Sequence, residues 1–66
     1  MDARLHRTYE LFLTAHDGVT RFEALTCPPD RLVYDLVRAR LAVGDVRSIE
    51  VKEGGEHRFI VSARNQ

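Results

Sequence analysis

The stretch YELFLTAHDGVTRFEAL, from Tyr9 to Leu25, decides the fold. Its first half alternates. Tyr9, Leu11, Leu13 and Ala15 fall on one face of an extended chain, and Glu10, Phe12 and Thr14 on the other. Asp17-Gly18 then breaks the pattern. Asp-Gly is a strong hairpin signal, because a type I′ turn needs positive φ at both central residues. A two-residue loop there opposes His16 to Val19, Leu13 to Phe22 and Leu11 to Ala24. That register gathers Tyr9, Leu11, Leu13, Phe22 and Ala24 on one face. It sets Thr14 opposite Arg21 and Phe12 opposite Glu23 on the other. A one-residue slip mixes the two sets. The reading is a pair of strands near residues 6–15 and 19–26.

Working outward, Pro28-Pro29 ends the second strand and opens a helix, since proline is tolerated in a first helical turn. Asp30 suits the positive end of the helix dipole. Leu32, Val33, Leu36, Val37, Ala39 and Val43, with Leu41 further round, form one broad apolar stripe that stops at Gly44. Two more alternating runs follow. Ile49 and Val51 alternate with Ser48, Glu50 and Lys52, and Phe59, Val61 and Ala63 with Arg58, Ile60 and Ser62. A two-residue Gly54-Gly55 loop sets Val51 against Arg58 and misaligns the faces. A three-residue loop over 54–56 pairs Val51 with Phe59 and Ile49 with Val61. The fold class is therefore α+β in the order ββαββ: a four-stranded antiparallel sheet with one helix packed on one face, in a single small domain over residues 1–66. The expected core is Tyr9, Leu11, Leu13, Phe22, Ala24, Leu32, Leu36, Val37, Ile49, Val51, Phe59 and Val61.

Composition narrows the class. Ten basic and ten acidic residues cancel to a formal net charge of zero, and 44% of the 66 residues are hydrophobic. That is too apolar and too neutral for a disordered chain. No apolar run approaches the roughly 18 residues of a membrane helix. The opening Met1-Asp2-Ala3-Arg4 leads into no apolar signal core. Cys27 is the only cysteine, so an internal disulfide is excluded, and a lone thiol suits a cytoplasmic location. A domain this small buries only about 60% of its unfolded surface, which favours support from a second chain. A homodimer, or contact with another protein, is the expectation, with no membrane and no cofactor.

The face of the sheet away from the helix carries the candidate site. By the registers above it holds Glu10, Phe12, Thr14, Arg21, Glu23 and Leu25 from the first hairpin, and Ser48, Glu50, Lys52, Arg58, Ile60 and Ser62 from the second. With the first and fourth strands central, Phe12 and Ile60 become neighbours ringed by Arg21, Arg58, Glu10 and Glu50. An apolar centre with a charged rim is the anatomy of an interface, although single exposed apolar residues on a sheet are ordinary. The alternative is a nucleic-acid-binding module, with Phe12 stacking a base and Arg21 and Arg58 on phosphates. One aromatic, and three carboxylates on the same face, weigh against it.

Arg40 falls inside the helix stripe. It either runs its stem over apolar surface to solvent or the last helix carbonyls, or anchors an interface. Tyr34 at the stripe's edge extends a helix-side contact. Cys27 stands just before the expected helix, where a thiol can act as a nucleophile. No spacing brings His6, His16 or His57 to it as a base, so catalysis is not expected. No metal-ligand spacing, phosphate loop or dinucleotide fingerprint is present. The expected function is a small non-catalytic protein-interaction or adaptor module, homodimeric, that meets its partner through Phe12, Ile60, Arg21 and Arg58. Tyr34 and Arg40 form a second set.

Overall fold

The chain is long enough for two hairpins and one short helix, and these are the elements it forms. The computed structural model describes residues 6–63; the opening Met1 to Arg4 lie outside them. Strands β1 (Arg7–Ala15) and β2 (Thr20–Cys27) precede helix α1 (Val33–Leu41), and strands β3 (Val46–Glu53) and β4 (Glu56–Ser62) follow it. All neighbouring strands pair antiparallel, in the order β2-β1-β3-β4. This is the expected ββαββ fold. Its central strands are β1 and β3, not the first and fourth strands that the open-face pattern suggests. The helix carries the chain from β2 past β1 to β3, so β1 acquires a neighbour on each side. The strand with the cleanest alternation is thus paired on both sides over Glu10 to Thr14.

The first hairpin departs from the expected register, and the cause is local. The Ala15 N–H donates to the Val19 carbonyl at 2.8 Å and the Gly18 N–H to the Ala15 carbonyl at 2.9 Å. These bonds close a three-residue loop, His16-Asp17-Gly18, in which Gly18 alone takes a positive φ of 91°. A type I′ turn would also force Asp17 into the left-handed region. Instead the Asp17 carboxylate accepts the Val19 N–H at 3.0 Å, a bond to a residue two along the chain. Every pair therefore moves by one. Leu13 opposes Arg21, Phe12 opposes Phe22, and Leu11 opposes Glu23. Phe22 and Ala24 leave the expected core for the open face. Arg21, Glu23, Leu25 and Cys27 come to the helix side.

The second hairpin has the opposite correction. Gly54 and Gly55 both take positive φ, 61° and 84°, in a two-residue turn that sets Glu53 opposite Glu56. The expected pairs Val51–Phe59 and Ile49–Val61 nevertheless form. A β-bulge leaves Arg58 unopposed and restores the parity for which the sequence pattern calls on a longer loop.

The helix is shorter than its apolar stripe. Pro28 to Arg31 form a turn closed by the Arg31 N–H on the Pro28 carbonyl at 3.1 Å. The first helical residue is Val33, and Leu32, its N-cap, contributes no capping side chain. Leu32 is consequently 68% exposed and outside the core. Val43 lies beyond the last turn and is exposed as well. The observed core is Tyr9, Leu11, Leu13, Cys27, Val37, Leu41, Val46, Ile49, Val51 and Val61, with Leu25, Val33, Leu36 and Phe59 packed against it. All of it lies between the helix and one face of the sheet.

The register can be checked by truncation. Leu13→Ala removes a buried side chain and should cost about 2–5 kcal/mol. Phe22→Ala should cost about 1 kcal/mol, the scale of one aromatic pair. Urea unfolding in dilute solution measures both. Equal losses at the two positions would restore Phe22 to the core and overturn the three-residue loop.

Candidate functional site

On the open face the antiparallel registers align Phe22, Phe12, Glu50 and Ile60 in one row across the four strands. Phe12 and Phe22 touch, with ring centroids 5.6 Å apart and planes tilted by 59°. The Lys52 ammonium lies 5.1 Å from the Phe12 ring centre. Phe22 is 58% exposed and Ile60 57% exposed. The row on one side is hydroxylated: Thr14 and Thr20, whose hydroxyls meet at 3.1 Å, then Ser48 and Ser62; the row on the other side is Ala24, Glu10, Lys52 and His57.

The carboxylates of this face are engaged within the chain. Glu10 accepts the Gly54 and Gly55 N–H groups at 3.2 and 3.1 Å, tying the β3–β4 turn back to β1. Glu50 meets His57 Nδ1 at 2.9 Å.

The six sequence-expected site residues therefore separate. Phe12 holds its place. Ile60 shares the face but stands two strands away, with Glu50 between. Arg21 lies on the helix side opposite Leu13. Arg58, the bulged residue, donates to Glu53 at 3.0 and 3.2 Å, and Arg7 holds the same carboxylate at 2.8 and 2.9 Å. Neither Arg21 nor Arg58 is on the open face. The Arg40 guanidinium reaches side-chain carboxylates rather than the last helix carbonyls. It bridges Asp45 at 2.8 Å and Glu23 at 3.2 Å, joining the helix end to β2 and to the start of β3. Tyr34 packs on Phe59 at 5.7 Å with the Arg38 guanidinium 5.9 Å from its ring, beside β4 and away from Phe12.

Phe22 is the open-face aromatic that sequence reasoning assigned to the core. A signal was available. The shifted register opposes like with like, Thr14 with Thr20 and Phe12 with Phe22, and such cross-strand pairs are favourable.

Cys27 is buried, and its thiol donates to the carbonyls of Arg31 and Pro28 at 3.4 and 3.5 Å. The intervening turn separates it from the helix end. His16 meets the Gly44 carbonyl and His57 meets Glu50, so neither is bonded to the thiol. Among the described residues no group of three or more His, Cys, Asp or Glu could hold a metal ion. No helix among them is long and apolar enough to cross a membrane. Comparison with known proteins finds no matching family model, curated protein or solved structure.

Two carboxylates titrate low in this arrangement. Hydrogen bonding from Arg7, then from Arg58, holds Glu53 below the usual carboxylate range, and bonding from Arg40 does the same for Asp45. A folded-state value below the unfolded one means the contribution is complete above about pH 5 and is lost as pH falls through the folded values. Thermal midpoints should stay level from pH 7 to 5 and drop towards pH 3. The drop should be shallower in the Asp45→Asn, Glu53→Gln double variant; an identical profile would mean that these pairs are energetically silent. Cys27 should react with a thiol reagent only through opening of the fold, so its labelling should accelerate steeply with sub-denaturing urea. Labelling as fast as a free thiol in native buffer would contradict its burial.

Proposed function

We propose that this chain is a non-catalytic protein-interaction module that works as a homodimer, with Phe12 and Phe22 at the centre of the contact. The observation that carries this reading is the Phe12–Phe22 pair, standing on a sheet face that no other described element covers. An interface core is depleted of free charge and enriched in aromatics. Here Glu10 and Glu50 are already satisfied within the chain, so covering the aromatics desolvates few unpartnered groups. The small one-sided core adds a second reason for a partner chain. Ile60 flanks the contact. The unpaired, buried Cys27 suits a reducing, cytoplasmic setting.

The nucleic-acid reading gains an aromatic from Phe22 but keeps little positive charge. Arg21 and Arg58 face away, and Lys52 shares the face with Glu10 and Glu50. A phosphate path would run beside two carboxylates.

Light scattering over a dilution series tests the proposal. The wild-type chain should shift from dimer to monomer on dilution. Phe12→Asp and Phe22→Asp should each give a folded monomer at every concentration, with an unchanged circular dichroism spectrum. A wild type that stays at 7.6 kDa throughout sinks the proposal, and so does dimer mass retained in both folded variants.

A further inference from the structure

We infer that two copies join edge to edge through β2, antiparallel and centred on Phe22, so that their four-stranded sheets become one. The inference rests on the self-association proposed above but moves its seam to the β2 edge, where the Phe22 residues of the two copies meet at the axis while Phe12 on β1 stays one strand removed.

The first observation is the state of the edge. β2 is paired only with β1. The bond from the Ala15 N–H to the Val19 carbonyl fixes which residues face β1. Antiparallel ladders alternate, so Val19, Arg21, Glu23 and Leu25 direct their backbone groups to β1. Thr20, Phe22, Ala24 and Thr26 direct theirs outward. Over this length the register with β1 is unbroken, with neither proline nor bulge in β2. The other edge, β4, is kinked by the bulge at Arg58. Proteins commonly blunt exposed edges, and of the two edges here β2 is left straight.

The second observation is charge complementarity. A two-fold axis perpendicular to the sheet keeps both helices on the same side and opposes helix-side residues to helix-side residues. With the axis at Phe22, Arg21 of each copy opposes Glu23 of the other. Val19 opposes Leu25, Thr20 opposes Ala24, and the two Phe22 rings meet on the open face. Moving the axis one residue back sets Arg21 against Arg21. Moving it one residue forward sets Glu23 against Glu23. Two residues forward leaves Glu23 opposite Leu25, and two back leaves Arg21 opposite Val19. Only the axis at Phe22 opposes unlike charges.

The charged pairs fall at the non-hydrogen-bonded positions, where facing Cα atoms are only about 4.5 Å apart and side chains lie closest. Arg21 makes no ion pair among the described residues, and Glu23, although it holds Arg40, keeps a half-exposed carboxylate able to accept further donors. The helix packs mainly over β3 and β4 and reaches β2 through the Arg40 side chain on Glu23. The open faces then merge, and their aromatics form a continuous row of four rings: Phe12, Phe22 and their two counterparts.

Charge exchange tests this register. Arg21→Glu sets carboxylate against carboxylate at each of the two charged contacts of the dimer. Glu23→Arg sets guanidinium against guanidinium at the same two contacts. Each variant alone should self-associate about tenfold more weakly. In an equimolar mixture of the two, a heterodimer has one contact between the two substituted side chains and one between the two native ones. Both contacts are then of opposite charge, and the mixture should regain wild-type affinity. A mixture of folded variants that stays monomeric overturns the register. Glu23→Arg also removes a partner of Arg40, so a second measurement uses the wild-type chain. Amide hydrogen exchange at Phe22 and Ala24 should be slow in the dimer and fast on dilution. Exchange at those amides that is fast at concentrations where the mass is dimeric overturns edge pairing and leaves open-face self-association standing. A monomer at every concentration overturns both.

Discussion

A single hydrogen bond, from the Val19 N–H to the Asp17 carboxylate, accompanies the turn on which the rest of the molecule depends. With Asp17 at negative φ and Gly18 in the left-handed region, the hairpin loop takes three residues. Side chains in a strand alternate with a period of two, so that extra residue turns all of β2 over. Leu25 and Cys27 then join the core. Glu23 reaches the helix side, where Arg40 can hold it. Phe22 reaches the open face, where it meets Phe12.

The charged clusters mark the two ends of β3. Asp45 precedes the strand and is held by Arg40; Glu53 ends it and is held by Arg7 and Arg58. Each pair lies at or near the surface, where ion pairs individually contribute little to stability. Their larger effect is one of placement. Arg40 ties a nine-residue helix, too short to be stable by itself, to two other parts of the chain. Arg58 is held in the bulge that keeps Phe59 and Val61 facing the helix side.

How much of this could be read from the chain depends on whether the deciding energy is local. The alternation of β1 is strong enough to be unambiguous, and Tyr9, Leu11 and Leu13 are core residues as expected. The pairs Val51–Phe59 and Ile49–Val61 were legible because burial demands that parity, whatever loop or bulge supplies it. β2 was not legible, because TRFEALTC has apolar residues on both faces and either register buries something. The choice fell to one carboxylate and one glycine. Strand order was illegible for a different reason: no local feature of β3 or β4 says which of them lies beside β1. The open-face site inherited both uncertainties. Phe12 was placed correctly from its own strand, whereas Arg21, Arg58 and the neighbour of Ile60 were placed through registers and an order that differ.

The contrast between the two sheet edges also bears on stoichiometry. A sheet with two straight edges is a repeating unit: whatever joins one side leaves an equivalent side open, and growth continues into a ribbon. The bulge at Arg58 removes that equivalence. In the β2-paired arrangement inferred above, one edge is the template and the other the terminus, and assembly by strand addition closes after two copies. In that arrangement a residue outside the apolar core separates a finite particle from a fibre.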